Sequence, residues 1–281
     1  MLSEKLHAEK GGDIEKEKGT TKDVLIRKGK ITMKEQKSII IGAGEVGRSL
    51  YKVLEATYKK AIVLRDKEPD KEIHCIENDF HNSSVSFLHI CYPYSDLFID
   101  YTKNYIQQYK PSIATIIHST VPVGTTRKCG EYCVHSPIHG KHPNLADGIK
   151  TFVKYVGGEN NVTVYSTRYY LEMAGIPTKM VSSPEASELS KILCTTYYGW
   201  NIVFCKEVAA ICKELGVSFK EVYTNWNKEY NKGYTELGMS QFVRPVLEPI
   251  EGKIKGHCVV NNTKLLDSAI TNLIKEYDEL M

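Results

Sequence analysis

Gly42, Gly44 and Gly47 stand in G-x-G-x-x-G spacing within Ser38-Ile-Ile-Ile-Gly-Ala-Gly-Glu-Val-Gly47. This spacing suits a phosphate cradle. The first glycine permits a tight turn, the second lets backbone approach a pyrophosphate, and the third lets a helix pack closely on a strand. Peptide N–H groups at the helix start, around Glu45 and Val46, then face the anion. A second β-branched run, Ala61–Leu64, leads to Arg65 and Asp66, 19 residues after Gly47. A carboxylate there can accept hydrogen bonds from ribose hydroxyls. The complete unit argues for a bound dinucleotide over a glycine-rich turn that binds nothing. Asp66 would repel a 2′-phosphate, which favours NAD over NADP, although Arg65 and Lys67 flank it. A second group, Cys129-x3-Cys133-x-His135-x3-His139-x2-His142, is dense in zinc-type ligands, and Cys133 and His135 would share one strand face. Its spacing matches no usual zinc arrangement, so no metal is assigned.

The elements that must carry these residues fall into three zones. Residues 1–36 are rich in Lys and Glu and poorly periodic, as in a charged tail. Residues 37–182 alternate β-branched runs (Ser38–Ile41, Ala61–Leu64, Phe87–Cys91, Ile113–His118, Tyr132–His135, Tyr155–Gly157, Thr178–Val181) with helical stretches (Glu45–Thr57, Ser95–Tyr109, Val162–Ala174). Such alternation predicts a parallel sheet covered on both faces. Ser182, Ser183 and Pro184 form a helix-start signal, with Glu185 and Glu188 near its positive end. The pattern then stays helical to about Leu215, with further helices predicted at Phe219–Asn231 and Thr263–Glu279. The expected fold is an α/β, Rossmann-type doubly wound parallel sheet. A mostly helical domain over 183–281, built on one long helix, follows it.

Composition narrows the function. The net charge of +3, from 37 basic and 34 acidic residues, gives no concentrated basic surface for nucleic acid. No apolar run approaches the ~18–20 residues that span a bilayer, and the first 36 residues are too charged for a signal-peptide core. The eight cysteines are scattered, several within apolar runs, which suggests free thiols in a reducing cytoplasm.

His118-Ser-Thr-Val-Pro-Val-Gly-Thr-Thr126, Glu188-Leu-Ser-Lys191, and Arg244 with Gly256-His-Cys258 follow the fingerprint in order. With it, they resemble the UDP-glucose/GDP-mannose dehydrogenase family over residues 37–266. Ser119–Thr125 matches that family's S-T-V-P-V-G-T, Glu188–Lys191 its A-E-x-x-K helix, and the last segment its R…G-G-H-C. The resemblance implies an NAD-dependent oxidoreductase that oxidises a sugar or nucleotide-sugar alcohol, or an aldehyde, through a cysteine thiohemiacetal and thioester. Cys258 would be the nucleophile and Lys191 the oxyanion partner, with Thr120 positioning water or substrate beside the nicotinamide. Gly42, Gly44, Glu45, Val46, Gly47, Asp66, Pro93, Ser119 and Thr120 would hold NAD, while Thr195, Arg244 and Asn262 would hold substrate. The chemistry is self-consistent, because a thiolate can attack an aldehyde and a nearby ammonium would stabilise the oxyanion. Glu188, Lys191 and Thr195, spaced i, i+3 and i+7, share one helix face. Two plainer readings stay open: Cys258 as a buried structural thiol, and Lys191 as a surface partner of Glu188.

The sequence also departs from the family pattern. Asn262 replaces an acid four residues after the cysteine, and Thr195 an asparagine four after the lysine. The family's S-P-E-x-x-x-E becomes Ser136-Pro-Ile-His-Gly-Lys-His142. With these acids gone, His142 is the candidate general base for thioester hydrolysis. A second α/β domain that grips the nucleotide in family members is not expected here. The alternative is therefore a catalytically impaired dinucleotide-binding sensor or partner subunit. The apolar residues Tyr197, Tyr198, Trp200, Ile202, Val203 and Phe204 on the long helix predict a homodimer interface. The tyrosine-rich stretch Tyr223–Tyr234 either lines the site or packs the helical domain.

Overall fold

The computed structural model describes residues 36–73, 85–140, 143–254 and 257–280. The first four strands are β1 (Ser38–Ile41), β2 (Ile62–Arg65), β3 (Phe87–Ile90) and β4 (Ala114–Ile117). They are followed by β5 (Cys133–His135), β6 (Lys154–Gly158) and β7 (Thr178–Met180). They form one sheet in the order β2-β1-β3-β4-β5-β6-β7. Strand β1 pairs in parallel with β2 on one side and β3 on the other, Ile41 opposite Arg65 and Ile90. The chain therefore reverses direction across the sheet at the carboxyl end of β1, where open α/β folds bind ligands.

The four residues of β1 and of β3 are buried throughout, as a strand covered on both faces requires. Helices α1 (Glu45–Tyr58), α4 (Leu145–Thr151) and α5 (Asn161–Met173) cover one face, and α2 (Phe98–Tyr109) and α3 (Thr125–Cys129) the other. Tyr170 on α5 fastens the first face. Its ring stacks on Tyr58 and Phe87 with centroids 4.5 and 4.1 Å apart, and its hydroxyl donates to Ser38 Oγ at 2.8 Å. The Tyr58 hydroxyl donates to the Tyr170 carbonyl at 2.6 Å.

The expected parallel sheet has one exception, because β6 runs antiparallel to β5 with His135 opposite Gly157. Among the described residues the seven-residue α4 lies between these two strands. Glycines let β6 fit there. A Cβ on Gly157 would lie 2.4 Å from Ser183 O, and one on Gly158 2.7 Å from a Val134 methyl.

From Pro184 the described chain is mostly helical, apart from residues 243–254. Helix α6 (Pro184–Leu215) runs 32 residues, about 48 Å at 1.5 Å per residue. The Ser183 side chain caps its start by accepting from Ala186 N at 3.1 Å. Gly216, at φ +67°, ends it. A π-helical turn, Lys220–Asn225, leads into α7 (Trp226–Glu236), so this helix extends past the expected Asn231. The helix expected over Thr263–Glu279 starts later, as α9 (Ala269–Leu280), and a short helix not expected from the sequence, α8 (His257–Thr263), precedes it. The Thr271 hydroxyl, donating to Leu266 O at 2.6 Å, secures the turn between them. Both pack on α6, where a Cβ at Gly199 would come within 2.7–2.9 Å of Val259 and Ile274.

Candidate active site

The glycine turn sits at the switch point. Gly42, at φ +102°, donates its N–H to Arg65 O at 2.8 Å, and a Cβ there would lie 2.9 Å from Tyr92 N. A Cβ on Gly47 would fall 1.8 Å from Gly42 O, so α1 meets the turn at a distance only glycine allows. Gly44 differs, since nothing lies within 4 Å of where its Cβ would stand. The space before the first turn of α1 is thus open, and a side chain at Gly44 would project into it. Glu45 is exposed and Val46 half-buried.

Asp66 lies beside this turn and accepts from Ala43 N at 2.6 Å and Glu68 N at 3.1 Å. Burial pushes its carboxyl up. The backbone N–H groups and Lys71 outweigh that and hold it below the usual carboxylate range. Arg65 is turned toward Glu72, with N···O at 3.2 Å. The cradle suits a dinucleotide, with open space at the helix start, an ionised carboxylate at the ribose position and free lone pairs on that carboxylate. Sequence reasoning missed Arg48, whose guanidinium donates to Ala43 O at 2.9 Å and Lys71 O at 3.0 Å.

The loop after β4 carries Ser119 and Thr120. Ser119 Oγ donates to Tyr92 O at 2.5 Å, next to exposed Pro93, and Thr120 is half-buried. Beneath this loop lie three histidines withdrawn from water: His89, His118 and His135. His118 Nδ1 faces Ser136 O at 3.0 Å and so carries the proton. Its Nε2 then accepts from His89 Nδ1 at 2.9 Å, leaving His89 Nε2 without a partner among the described residues. Neutral rings fit this arrangement. Burial lowers all three pKa values, those of His89 and His135 to about 3, and the Lys154 charge adds to the effect. Lys154, also buried, donates to Ser136 O and Pro137 O, and burial pulls its pKa well below the ordinary lysine range.

His135 joins the sheet to the helical part. Its Nε2 donates to Ser119 O at 3.1 Å and its Nδ1 accepts from Ser187 Oγ on α6 at 2.9 Å. One residue on, the Glu188 carboxylate is buried and accepts from Gly124 N at 2.6 Å and Thr126 N at 2.7 Å. Glu188 is therefore not the partner of Lys191. Among the described residues no carboxylate pairs with Lys191. Burial lowers its pKa, and the thiols of Cys194 and Cys258 are the groups that raise it.

Cys258 is exposed at the start of α8, which removes the reading of a buried structural thiol. On the facing turns Asn262 Nδ2 donates to Thr195 Oγ1 at 3.2 Å. The two positions that depart from the family pattern thus contact each other as a neutral pair. The strand of chain before α8 is held by Lys206, which donates to Ile250 O and Gly252 O, and by Asp278, which accepts from Ile254 N at 2.6 Å. Neither signal is visible in sequence, because each partner is a backbone group far along the chain.

Arg244 is exposed and lies over the Tyr230 ring at 3.6 Å, its N–H donating to Asn231 Oδ1 at 2.8 Å. It joins the cluster of Tyr230 and Tyr234 on α7 with Phe242 beyond its end, and is not among the groups acting on Lys191. The tyrosine-rich stretch therefore packs the helical part, with Tyr223 stacked on Phe219. His142 lies outside the described residues, as do Gly256 and the side chain of His257. Among the described residues no cluster of three or more His, Cys, Asp or Glu could hold a metal. Cys129 and Cys133 are packed in the core against α2, and His135 is bonded to Ser119 and Ser187. No described helix is long and apolar enough to cross a membrane.

No protein-family model matches the chain, and no curated protein matches it by sequence. Solved structures do. The UDP-D-ManNAc dehydrogenase of Pyrococcus horikoshii superposes with a TM-score of 0.68 at 17% identity, over 86% of this chain and 68% of that one. The UDP-glucose dehydrogenase of Pyrobaculum islandicum gives 0.65 at 16%, over 90% and 70%. The 3-hydroxyisobutyrate dehydrogenase of Mycobacterium tuberculosis, with L-serine, gives 0.62 at 13%, over 87% and 94%. At these identities the likeness is one of fold: the chain has the Rossmann-type architecture on which these dehydrogenases are built.

Proposed function

We propose that the protein is an NAD-dependent oxidoreductase acting on a sugar-like or nucleotide-sugar-like alcohol or aldehyde. The observation that carries this reading is the cradle at Gly42–Gly47. Two of its glycines are enforced by backbone contact, and the third leaves open the space a pyrophosphate would take. Asp66 beside it, with Arg65 engaged by Glu72, favours a free ribose hydroxyl, hence NAD over NADP. Ser119 and Thr120 would border the nicotinamide, which supplies the hydride acceptor when bound.

On the substrate side the Cys258 thiolate adds to an aldehyde carbon, forming a C–S bond as the carbonyl electron pair moves to oxygen. The Lys191 ammonium, with no carboxylate among the described residues to neutralise it, stabilises that oxyanion. Loss of hydride from the same carbon restores the carbonyl as a thioester on Cys258. Thr120 would position water, and His142 would take the proton when that water attacks. Thr195, Asn262 and Arg244 would contact substrate. The exposed aromatic face of α6, with Tyr197 and Phe204 both more than half exposed, would be covered in a homodimer. A monomer by light scattering would contradict that.

The neutral Thr195–Asn262 pair favours a second reading, a dinucleotide-binding sensor without turnover. One experiment separates the two. The protein is incubated with NAD+ and a panel of sugars, nucleotide sugars and their aldehydes, and reduced nicotinamide is followed. The enzyme reading predicts turnover that Cys258→Ala removes beyond the first oxidation. NAD+ binding without turnover across the panel would support the sensor.

A further inference from the structure

The loop that follows β4 is tied to α6 at both of its ends, and both ties fall on consecutive residues of one helical turn. At its start, Ser119 O accepts from His135, which accepts in turn from Ser187 Oγ. At its finish, Gly124 N and Thr126 N both donate to the Glu188 carboxylate. Thr120 to Val123 are thereby suspended between two anchors. Lys191 lies three residues past Glu188 on the same helix. Ser119 is also fixed from the other side by its bond to Tyr92 O, and a Cβ at Gly42 would touch the backbone of Tyr92. A continuous path of short contacts therefore runs from the glycine turn through Tyr92, the 119–126 loop and Glu188 to the helix that carries Lys191.

Glu188 is an unusual group for such a place. Its carboxylate is fully withdrawn from water, with burial raising its pKa and the bonds from Thr126 and Gly124 lowering it. Two charge-assisted bonds from backbone N–H groups hold it, and the charge of Arg127, whose own hydrogen bonds go to Glu185 and Glu159, acts on it without a hydrogen bond. A carboxylate used only to stabilise the fold could sit on the surface opposite an arginine, as neighbouring Glu185 does with Arg127 at 2.6 Å. Only an acceptor with two equivalent oxygens can take both N–H groups at once. An amide would offer one oxygen and turn donors toward the second N–H.

Accepting the dinucleotide site argued above, we infer that Glu188 is a positioning residue that couples occupancy of that site to the surroundings of Cys258. Dinucleotide contacts at Ser119 and Thr120 would set the loop, Glu188 would transmit that setting to α6, and Lys191 would be placed against the thiol. No covalent bond is made or broken at Glu188.

The test reads the coupling directly and needs no substrate. Alkylation of Cys258 by iodoacetamide is followed by peptide-resolved mass spectrometry, with and without saturating NAD+. Wild type, Glu188→Gln and Ser187→Ala are compared, and NAD+ binding is titrated separately for each. In wild type the rate should change about fivefold or more on NAD+ binding. Glu188→Gln should still bind NAD+ through the glycine turn and Asp66, yet its two rates should agree within about a factor of 1.5. Ser187→Ala, which loses one of the two ties, should fall between. A role confined to stability would lower the melting temperature of Glu188→Gln but leave the rate ratio intact, and that result overturns the inference. So does a wild-type rate indifferent to bound NAD+. If Glu188→Gln does not fold, an undiminished ratio in Ser187→Ala overturns it equally. A wild type that binds neither NAD+ nor NADP+ defeats the dinucleotide reading itself, and the coupling with it.

Discussion

Replacing Gly44 and Gly47 separately by alanine separates folding from cofactor binding within three residues of one another. A Cβ on Gly47 would stand 1.8 Å from Gly42 O and 3.0 Å from Gly42 C. No side-chain rotation relieves this, because both atoms are backbone, so α1 must move away from the turn by more than about 1 Å to reach ordinary contact. Overpacking of this kind costs about 1–3 kcal/mol. For a chain of this size that corresponds to a fall in Tm of about 3–10 °C. Gly44→Ala meets nothing within 4 Å, and Gly44 already sits at φ −71°. Its effect on stability should be under about 1 kcal/mol, or about 3 °C. The added methyl would nevertheless project into the space assigned to the pyrophosphate. At NAD+ a hundredfold above its Kd, binding adds about 2.7 kcal/mol to stability, and a tenfold weaker site halves this to about 1.4 kcal/mol. Melting curves with and without NAD+ read both effects. Gly44→Ala should melt with wild type in buffer and lose at least half of the NAD+-induced rise, whereas Gly47→Ala should melt low in buffer. A full NAD+-induced rise in Gly44→Ala would show that the cradle is not where the cofactor binds.

Tyr170→Phe should cost about 1 kcal/mol, because Ser38 Oγ loses its donor. Tyr170→Ala should cost about 3–5 kcal/mol by emptying the stack between Tyr58 and Phe87, and urea melts decide both. The buried neutral histidines make stability fall with acid. His89 and His135 titrate near 3 when folded and near 6.5 when unfolded. Between those values the unfolded chain binds more protons, so stability rises with pH there and is progressively lost as pH drops from about 6.5 toward 3. Melting temperatures from pH 7.5 to 4.5 should show this decline, and a flat profile down to pH 5 would contradict neutral burial. Lys206→Met should leave Ile250 O and Gly252 O without their donor. Faster hydrogen exchange across residues 248–254 would report it, while unchanged exchange would mean that the segment is held by other contacts.

How much the sequence disclosed followed from whether the signal was local. The glycine fingerprint and the runs at Ser38–Ile41 and Phe87–Cys91 are written in contiguous residues, and strands formed there, the second ending one residue earlier at Ile90. Helix α6 was legible from the start signal at Ser182–Pro184 and a helical pattern that runs to about Leu215. The antiparallel β6 was not legible, because strand direction depends on which strand it pairs with in the folded sheet and on clearances at Gly157 and Gly158. The break between α8 and α9 was hidden for a similar reason, since Thr271 bonding back to Leu266 carries no periodic signature. In the site, resemblance pointed to Lys191, Thr195, Cys258 and Asn262, and the structure puts Thr195 in contact with Asn262 and Cys258 within electrostatic reach of Lys191. Nothing in the spacing of Glu188 showed that it turns from Lys191 to two peptide groups more than sixty residues away. Nor did the Cys129–His142 run reveal that His135 serves Ser119 and Ser187, which only the tertiary fold brings together.

Calorimetric titration of the protein with NAD+ and NADP+ tests dinucleotide binding at the glycine turn most directly. The predicted result is one site per chain that takes NAD+ at least about tenfold more tightly than NADP+, a difference of about 1.4 kcal/mol, with Asp66→Ala weakening NAD+. Binding of neither dinucleotide, or NAD+ binding unaffected by Asp66→Ala, would contradict it.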